Sequence, residues 1–130
     1  MDMSDGNLCV ARLTPVGTVA PNATGLAFLL KASTGAAARA FVILGPLPDP
    51  ATLGLAAYDF LIVDPATGAT VVRHGMRLLP SAAFGEGIWV GTAMVTLTGG
   101  TLPCGPVMVF ASDINGLLGP QVAGGVLSTC

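Results

Sequence analysis

Apolar and β-branched residues recur along the chain in short runs, and clusters of turn-forming residues close each run. The alternation is clearest between positions 88 and 98, where Thr92, Met94 and Thr96 are each separated by an apolar neighbour. A period of two residues is typical of a strand with one face toward a core. The pattern predicts eight strands: Leu8–Leu13, Gly25–Lys31, Arg39–Leu44, Leu55–Val63, Thr70–Arg77, Ile88–Thr98, Pro106–Ala111 and Gln121–Ser128.

The segments between these strands are rich in Gly, Pro, Asn and Asp, which favour tight turns. The run Asp64–Gly68 predicts a hairpin turn that ends in a left-handed glycine. Two alanine-rich segments, Ala36–Ala40 and Ala82–Phe84, are each long enough for one helical turn. The sequence therefore predicts one all-β domain over residues 1–130. It would be an antiparallel β-sandwich of jelly-roll type or a small β-barrel, with about eight strands.

Charged residues make up only 9% of the chain, whereas about 25% is typical of a soluble domain. Apolar residues reach 52%, and the mean hydropathy is +0.78. A surface with so few charges is expected to be covered by association. The deficit is concentrated after Gly87, where Asp113 is the single charge. The predicted contact surface therefore lies in the C-terminal third, at Trp89, Met94, Leu102, Val107, Met108, Leu117, Leu118, Val126 and Leu127.

A membrane-spanning helix is not expected, because glycines, prolines and threonines interrupt every apolar stretch. The acidic start, Met1–Asp5, does not resemble a signal peptide, so we expect a chain made and kept in a cytosol. The five basic residues are scattered, which argues against binding to nucleic acid.

The cysteines at positions 9, 104 and 130 lack the spacing of metal ligands. The favoured interpretation is that Cys9 and Cys104 are buried thiols and that Cys130 is a terminal thiol. A Cys9–Cys104 disulfide and an intermolecular bond through Cys130 are the alternatives. No cofactor is predicted.

Candidate catalytic groups are few. His74 is the only histidine, and a catalytic site would need it together with Cys9, Cys104 or Ser81 and an orienting acid such as Asp59 or Asp64. A plain surface position is the favoured interpretation of His74. Asp113–Gly116 resembles part of a calcium loop but lacks the later glutamate, so a turn is predicted. The sequence predicts neither a catalytic nor a metal site.

Two segments resemble a known family. Gly54–Phe60 is similar to the first motif of the trimeric dUTPases, and the stretch from Leu78–Pro80 to Phe84–Gly85 is similar to the segment before their second motif. The resemblance implies a trimeric β-barrel enzyme. The Ser-rich phosphate motif, the Asp and Tyr of the catalytic hairpin and the Gly-rich C-terminal arm of that family have no counterparts in this chain.

The function class favoured by these observations is a structural assembly protein that acts as a symmetric homo-oligomer, with a trimer among the options. A virion component fits, such as a capsid decoration (cement) protein or a small coat or tail protein bound to a capsid shell protein and assembled in the host cytoplasm. The alternatives are a lectin-like or immunoglobulin-like binding module that presents loops such as Gly45–Thr52, and a dUTPase-like enzyme.

Overall fold

In a computed structural model the chain forms ten antiparallel strands over the described residues, which are 7–32, 36–80, 87–97 and 101–129. A short 3₁₀ helix, Pro50–Leu53, precedes the fourth strand, and the Asp49 carboxylate caps it by accepting a hydrogen bond from the Ala51 N–H. The strands are β1 (Leu8–Pro15), β2 (Thr24–Lys31), β3 (Ala37–Gly45), β4 (Ala57–Val63), β5 (Thr70–Gly75), β6 (Arg77–Leu78), β7 (Trp89–Thr96), β8 (Pro106–Ser112), β9 (Leu118–Val126) and β10 (Ser128–Thr129).

The strands form one sheet in the order β5-β4-β8-β9-β1-β2-β3-β7-β6, and β10 pairs with β1. This sheet is nearly closed into a barrel, because only Met76 separates β5 at one edge from β6 at the other. The Met76 N–H donates to the Tyr58 carbonyl of β4 at 2.8 Å, while Arg77 pairs with Val90 of β7. The segment from Thr70 to Leu78 therefore joins the two edges of the sheet.

The prediction of an all-β fold is confirmed, and most strand bounds differ from the predicted ones by one to three residues. The predicted strand Thr70–Arg77 is divided at Met76, where the chain passes from one edge to the other. The turns predicted at Asp64–Gly68 and Asp113–Gly116 are present, and Gly68 and Gly116 have the left-handed φ angles of 75° and 81°.

The one helical turn that Ala36–Ala40 is long enough to form is absent. Residues from Ala37 onward belong to β3, which is hydrogen-bonded to β2 on one side and to β7 on the other. One turn of helix is unstable by itself, whereas two strand partners satisfy the backbone and place Ala38 and Ala40 in the core. The other predicted helical turn, Ala82–Phe84, lies outside the described residues.

The core fills the inside of the barrel with side chains from alternate strand positions. In β3, Ala38, Ala40, Val42 and Leu44 are fully buried. Small residues on this strand leave room for large ones opposite, as close packing of an interior requires. The largest fully buried side chains are Tyr58, Phe60, Leu13, Leu29, Leu44, Ile62 and Leu127.

Cys9 of β1 and Cys104, just before β8, form a disulfide with a Cα–Cα distance of 5.9 Å. This finding corrects the interpretation of the two cysteines as separate buried thiols. The bond closes a loop of 95 residues and ties the first strand to the start of the eighth. Cys130 lies outside the described residues.

Candidate functional site

The outward-facing side of β1, β2, β3 and β7 is the most unusual surface of the chain. Residues paired across antiparallel strands point to the same side of a sheet, so the register defines three rows of four positions on this side. We call these twelve positions the outer face. The rows, read from β1 to β7, are Leu8, Leu30, Arg39 and Met94; Val10, Phe28, Phe41 and Thr92; and Arg12, Leu26, Ile43 and Val90.

Nine of these twelve side chains are apolar, and eight of the nine are at least partly exposed; the exception is Val90, which is 7% exposed. Arg12, Arg39 and Thr92 are the polar side chains. Leu26 and Leu30 of β2 are 41% and 42% exposed, and Met94 is 57% exposed. Antiparallel sheets with one solvated side normally place polar residues there. The outer face is therefore a surface that association would stabilise.

Two aromatic rings lie at the centre of the outer face. Phe28 and Phe41 are paired across β2 and β3, with ring centroids 6.4 Å apart, and both are half-buried. Arg12 and Arg39, both exposed, supply the only charges in the three rows. The outer face therefore combines an aromatic centre with positive charge on two sides.

The residues predicted as the contact surface do not lie on one surface. Met94, Leu117 and Val126 are exposed, while Trp89, Met108 and Leu118 are half-buried. Leu102, Val107 and Leu127 are at most 7% exposed and belong to the core. Each of these three side chains is therefore already covered by its own chain.

The outer face itself was missed by sequence reasoning, although a signal was present. Residues 25–31 and 39–44 are apolar at almost every position and not only at every second one. Such runs are typical of strands that are covered on both faces. Only Met94 of the outer face is among the predicted contact residues.

The turn between β8 and β9 presents the two most exposed large apolar side chains among the described residues, Ile114 at 88% and Leu117 at 72%. The turn is nevertheless well ordered by hydrogen bonds. The Asp113 carboxylate accepts from the backbone N–H groups of Asn115, at 2.9 Å, and Leu117, at 2.8 Å. We call Asp113–Leu117 the β8–β9 turn.

A polar cluster supports this turn from the side. The Arg73 guanidinium donates to the Asp59 carboxylate at 2.9 Å and also to the Gly116 carbonyl. The Ser112 hydroxyl donates to the other oxygen of Asp59 at 3.2 Å. Asp59 is the acid of the dUTPase-like motif. Its carboxylate links β4 to β5 through Arg73 and to β8 through Ser112, and Arg73 extends this network to the turn.

A cavity of about 570 Å³ lies at the end of the barrel, between the Pro46–Pro50 segment, Ala56, Leu78, Gly87 and Trp89. The Tyr58 hydroxyl donates to the Pro48 carbonyl at 2.7 Å and fixes one wall. Burial raises the pKa of Tyr58 from 10.0 to about 12, and the negative charge of Asp49 contributes. The Trp89 indole N–H is enclosed and has no hydrogen-bond partner among the described residues, so it does not face the open cavity.

The residues considered for catalysis do not converge. Cys9 and Cys104 are joined to each other, and Ser81 lies outside the described residues. His74 is exposed and is paired with Phe60 of β4. Asp59 is adjacent to Phe60 along β4, so its side chain points to the opposite side of the sheet from that of His74. No group of three or more histidines, cysteines and acids is close enough to hold a metal ion within the described ranges.

Across those ranges no helix is long and apolar enough to cross a membrane. When the sequence is compared with models of known protein families and with curated proteins, none matches.

Proposed function

We propose that this chain is a structural assembly protein whose subunits associate through the outer face. The observation that supports the proposal is the set of eight partly or fully exposed apolar side chains on that face, with Leu26, Leu30 and Met94 each at least 41% exposed. Burial of one such side chain contributes about 1.5–3 kcal/mol. The three rows span five residues on each of four strands, which gives a face of about 19 by 17 Å.

The partner that we propose is a second copy of the chain. The outer face carries positive charge at Arg12 and Arg39, whereas the described acids, Asp49, Asp59, Asp64 and Asp113, all lie elsewhere on the chain. Two copies that met face to face would therefore bring like charges together. A contact between the outer face of one copy and an acidic part of another avoids this repulsion, and such contacts can close into a symmetric oligomer.

The biological setting that we propose is a virion, with the chain as a capsid decoration protein or a small coat or tail protein. A small charge-poor β domain that is covered by neighbours suits a symmetric shell. The Cys9–Cys104 disulfide is consistent with this setting, because virion surfaces belong to the oxidising environments in which disulfides persist.

A binding module is the second candidate, and the cavity at the barrel end supports it. Barrel ends are common ligand sites, and 570 Å³ lies within the usual range of ligand pockets. One of its walls, Pro46–Pro50, is part of the loop Gly45–Thr52 that the sequence suggested as a binding loop. A chain that is monomeric in solution, with exposed loops around this cavity, would favour the binding module.

Sedimentation of two lysine variants tests the assembly proposal. Leu30→Lys adds a third positive charge to the outer face and should shift the chain from oligomer to monomer. Ala66→Lys, in the exposed β4–β5 turn, is the matched control and should leave the oligomer unchanged. An oligomer that persists unaltered in Leu30→Lys would overturn the proposed role of the outer face.

A further inference from the structure

The β8–β9 turn, Asp113–Leu117, is built in a way that the fold itself does not require. Ile114 and Leu117 are 88% and 72% exposed, so they contribute little to the core of their own chain. Exposed apolar residues at a turn normally cost solubility. In this turn they are held in a fixed position by the bonds of Asp113 and by the contact of Arg73 with Gly116.

An ordered turn is well suited to docking, because little conformational freedom is lost when it binds. The Asp113 carboxylate accepts two backbone N–H groups through Oδ1, and it also gives the turn a negative charge. The β8–β9 turn thus presents two apolar side chains next to one acid. This is the complement of the outer face, which presents apolar side chains next to Arg12 and Arg39.

The turn cannot reach the outer face of its own chain. It immediately precedes Leu118, the first residue of β9, and β9 approaches the outer face only at its other end, where Val126 is followed by β10 beside β1. The nine residues of β9 span about 27 Å. Only the turn of another copy can occupy the outer face.

We infer that the β8–β9 turn of one copy docks on the outer face of the next copy, with Ile114 and Leu117 against the Phe28 and Phe41 rings and Asp113 near Arg12 or Arg39. This inference rests on the proposed self-association and specifies its geometry. Because the two contacting surfaces differ, two copies can exchange their turns reciprocally in a dimer, or successive copies can join head to tail in a ring.

A complementation experiment tests the inference. Ile114→Lys disables the turn and leaves the outer face intact, whereas Leu30→Lys disables the outer face and leaves the turn intact. Each variant alone should be monomeric, with self-association weakened about thirtyfold or more, as is typical of a central contact residue. An equimolar mixture should form a mixed dimer, because one intact turn and one intact face remain available to each other.

The outcomes separate the inference from the proposed function. Circular dichroism first establishes that both variants are folded, and Ala66→Lys serves again as the control. If Ile114→Lys associates as the unmodified chain does, or if the mixture stays monomeric, the turn is not the docking element and the inference is overturned. An unmodified chain that is itself monomeric would overturn the proposed self-association as a whole.

Discussion

Arg73 of β5 and Asp59 of β4 form an ion pair, with 2.9 Å between Nε and Oδ2, and the same guanidinium donates to the Gly116 carbonyl of the β8–β9 turn. One side chain thus connects a hairpin to a turn 43 residues further along the chain. The ion pair is partly exposed, so its contribution to stability is small. Its main consequence is that the turn is held in one position.

Replacement of Arg73 by methionine should therefore loosen the turn and leave the fold intact. We expect the free energy of unfolding to fall by less than about 1 kcal/mol, because the pair is at the surface. The amide groups of 113–117 should exchange with solvent faster, which hydrogen exchange measures. Arg77→Met, in β6 at the other edge of the sheet, is the control. Unchanged exchange in the turn of Arg73→Met would contradict the supporting role of Arg73.

The Cys9–Cys104 disulfide should stabilise the chain strongly. It closes a loop of 95 residues, for which the loss of entropy in the unfolded chain corresponds to about 4–5 kcal/mol. Urea unfolding with and without a reductant measures this difference, and the Cys104→Ser variant should be insensitive to the reductant. Thiol titration of the unfolded chain should give one thiol before reduction and three after it. Three thiols before reduction would show that the bond is absent.

Tyr58 should ionise at unusually high pH, and its titration should reduce stability. Its pKa is about 12 in the folded chain and close to 10 when unfolded, so the folded state binds the proton more tightly. This contribution is fully present below pH 10 and is lost as the pH rises toward 12. Tyr58 is the only tyrosine, so absorbance of tyrosinate reports it directly. Tyr58→Phe should lack this component, and ionisation near pH 10 in the folded chain would refute the prediction.

Gly91 should tolerate no side chain. A Cβ at this position of β7 would lie 2.7 Å from Cε1 of Phe60, a ring buried in the core. Gly91→Ala should therefore cost about 1–3 kcal/mol through overpacking. Gly75→Ala is the matched control, because a Cβ there would have no neighbour closer than 4.0 Å. Thermal unfolding of the two variants compares them, and equal midpoints would mean that Phe60 moves aside without cost.

Much of the fold could be predicted from the sequence, since turn-forming clusters mark the strand ends. The alanines of 36–40 were compatible with a helical turn, because local propensity carries no information about the two strands that pair with β3. The disulfide was left open for a similar reason: cysteines 95 residues apart give no spacing signal.

The contact surface could be predicted less well. The low charge indicated a covered surface, but its position depends on which residues point outward. Val107 and Leu127 are as apolar as Leu26 and Leu30, and only strand pairing places the first two inside and the others outside. Runs that are apolar at every position, such as 25–31, were the available signal for a strand with two apolar faces.

The central claim is that copies of this chain associate through the outer face, and the mass of the chain in solution tests it most directly. Sedimentation equilibrium of the unmodified chain at micromolar concentration should give at least twice the 12.9 kDa of one chain. A mass of 12.9 kDa, that of a single chain, would contradict the assembly itself.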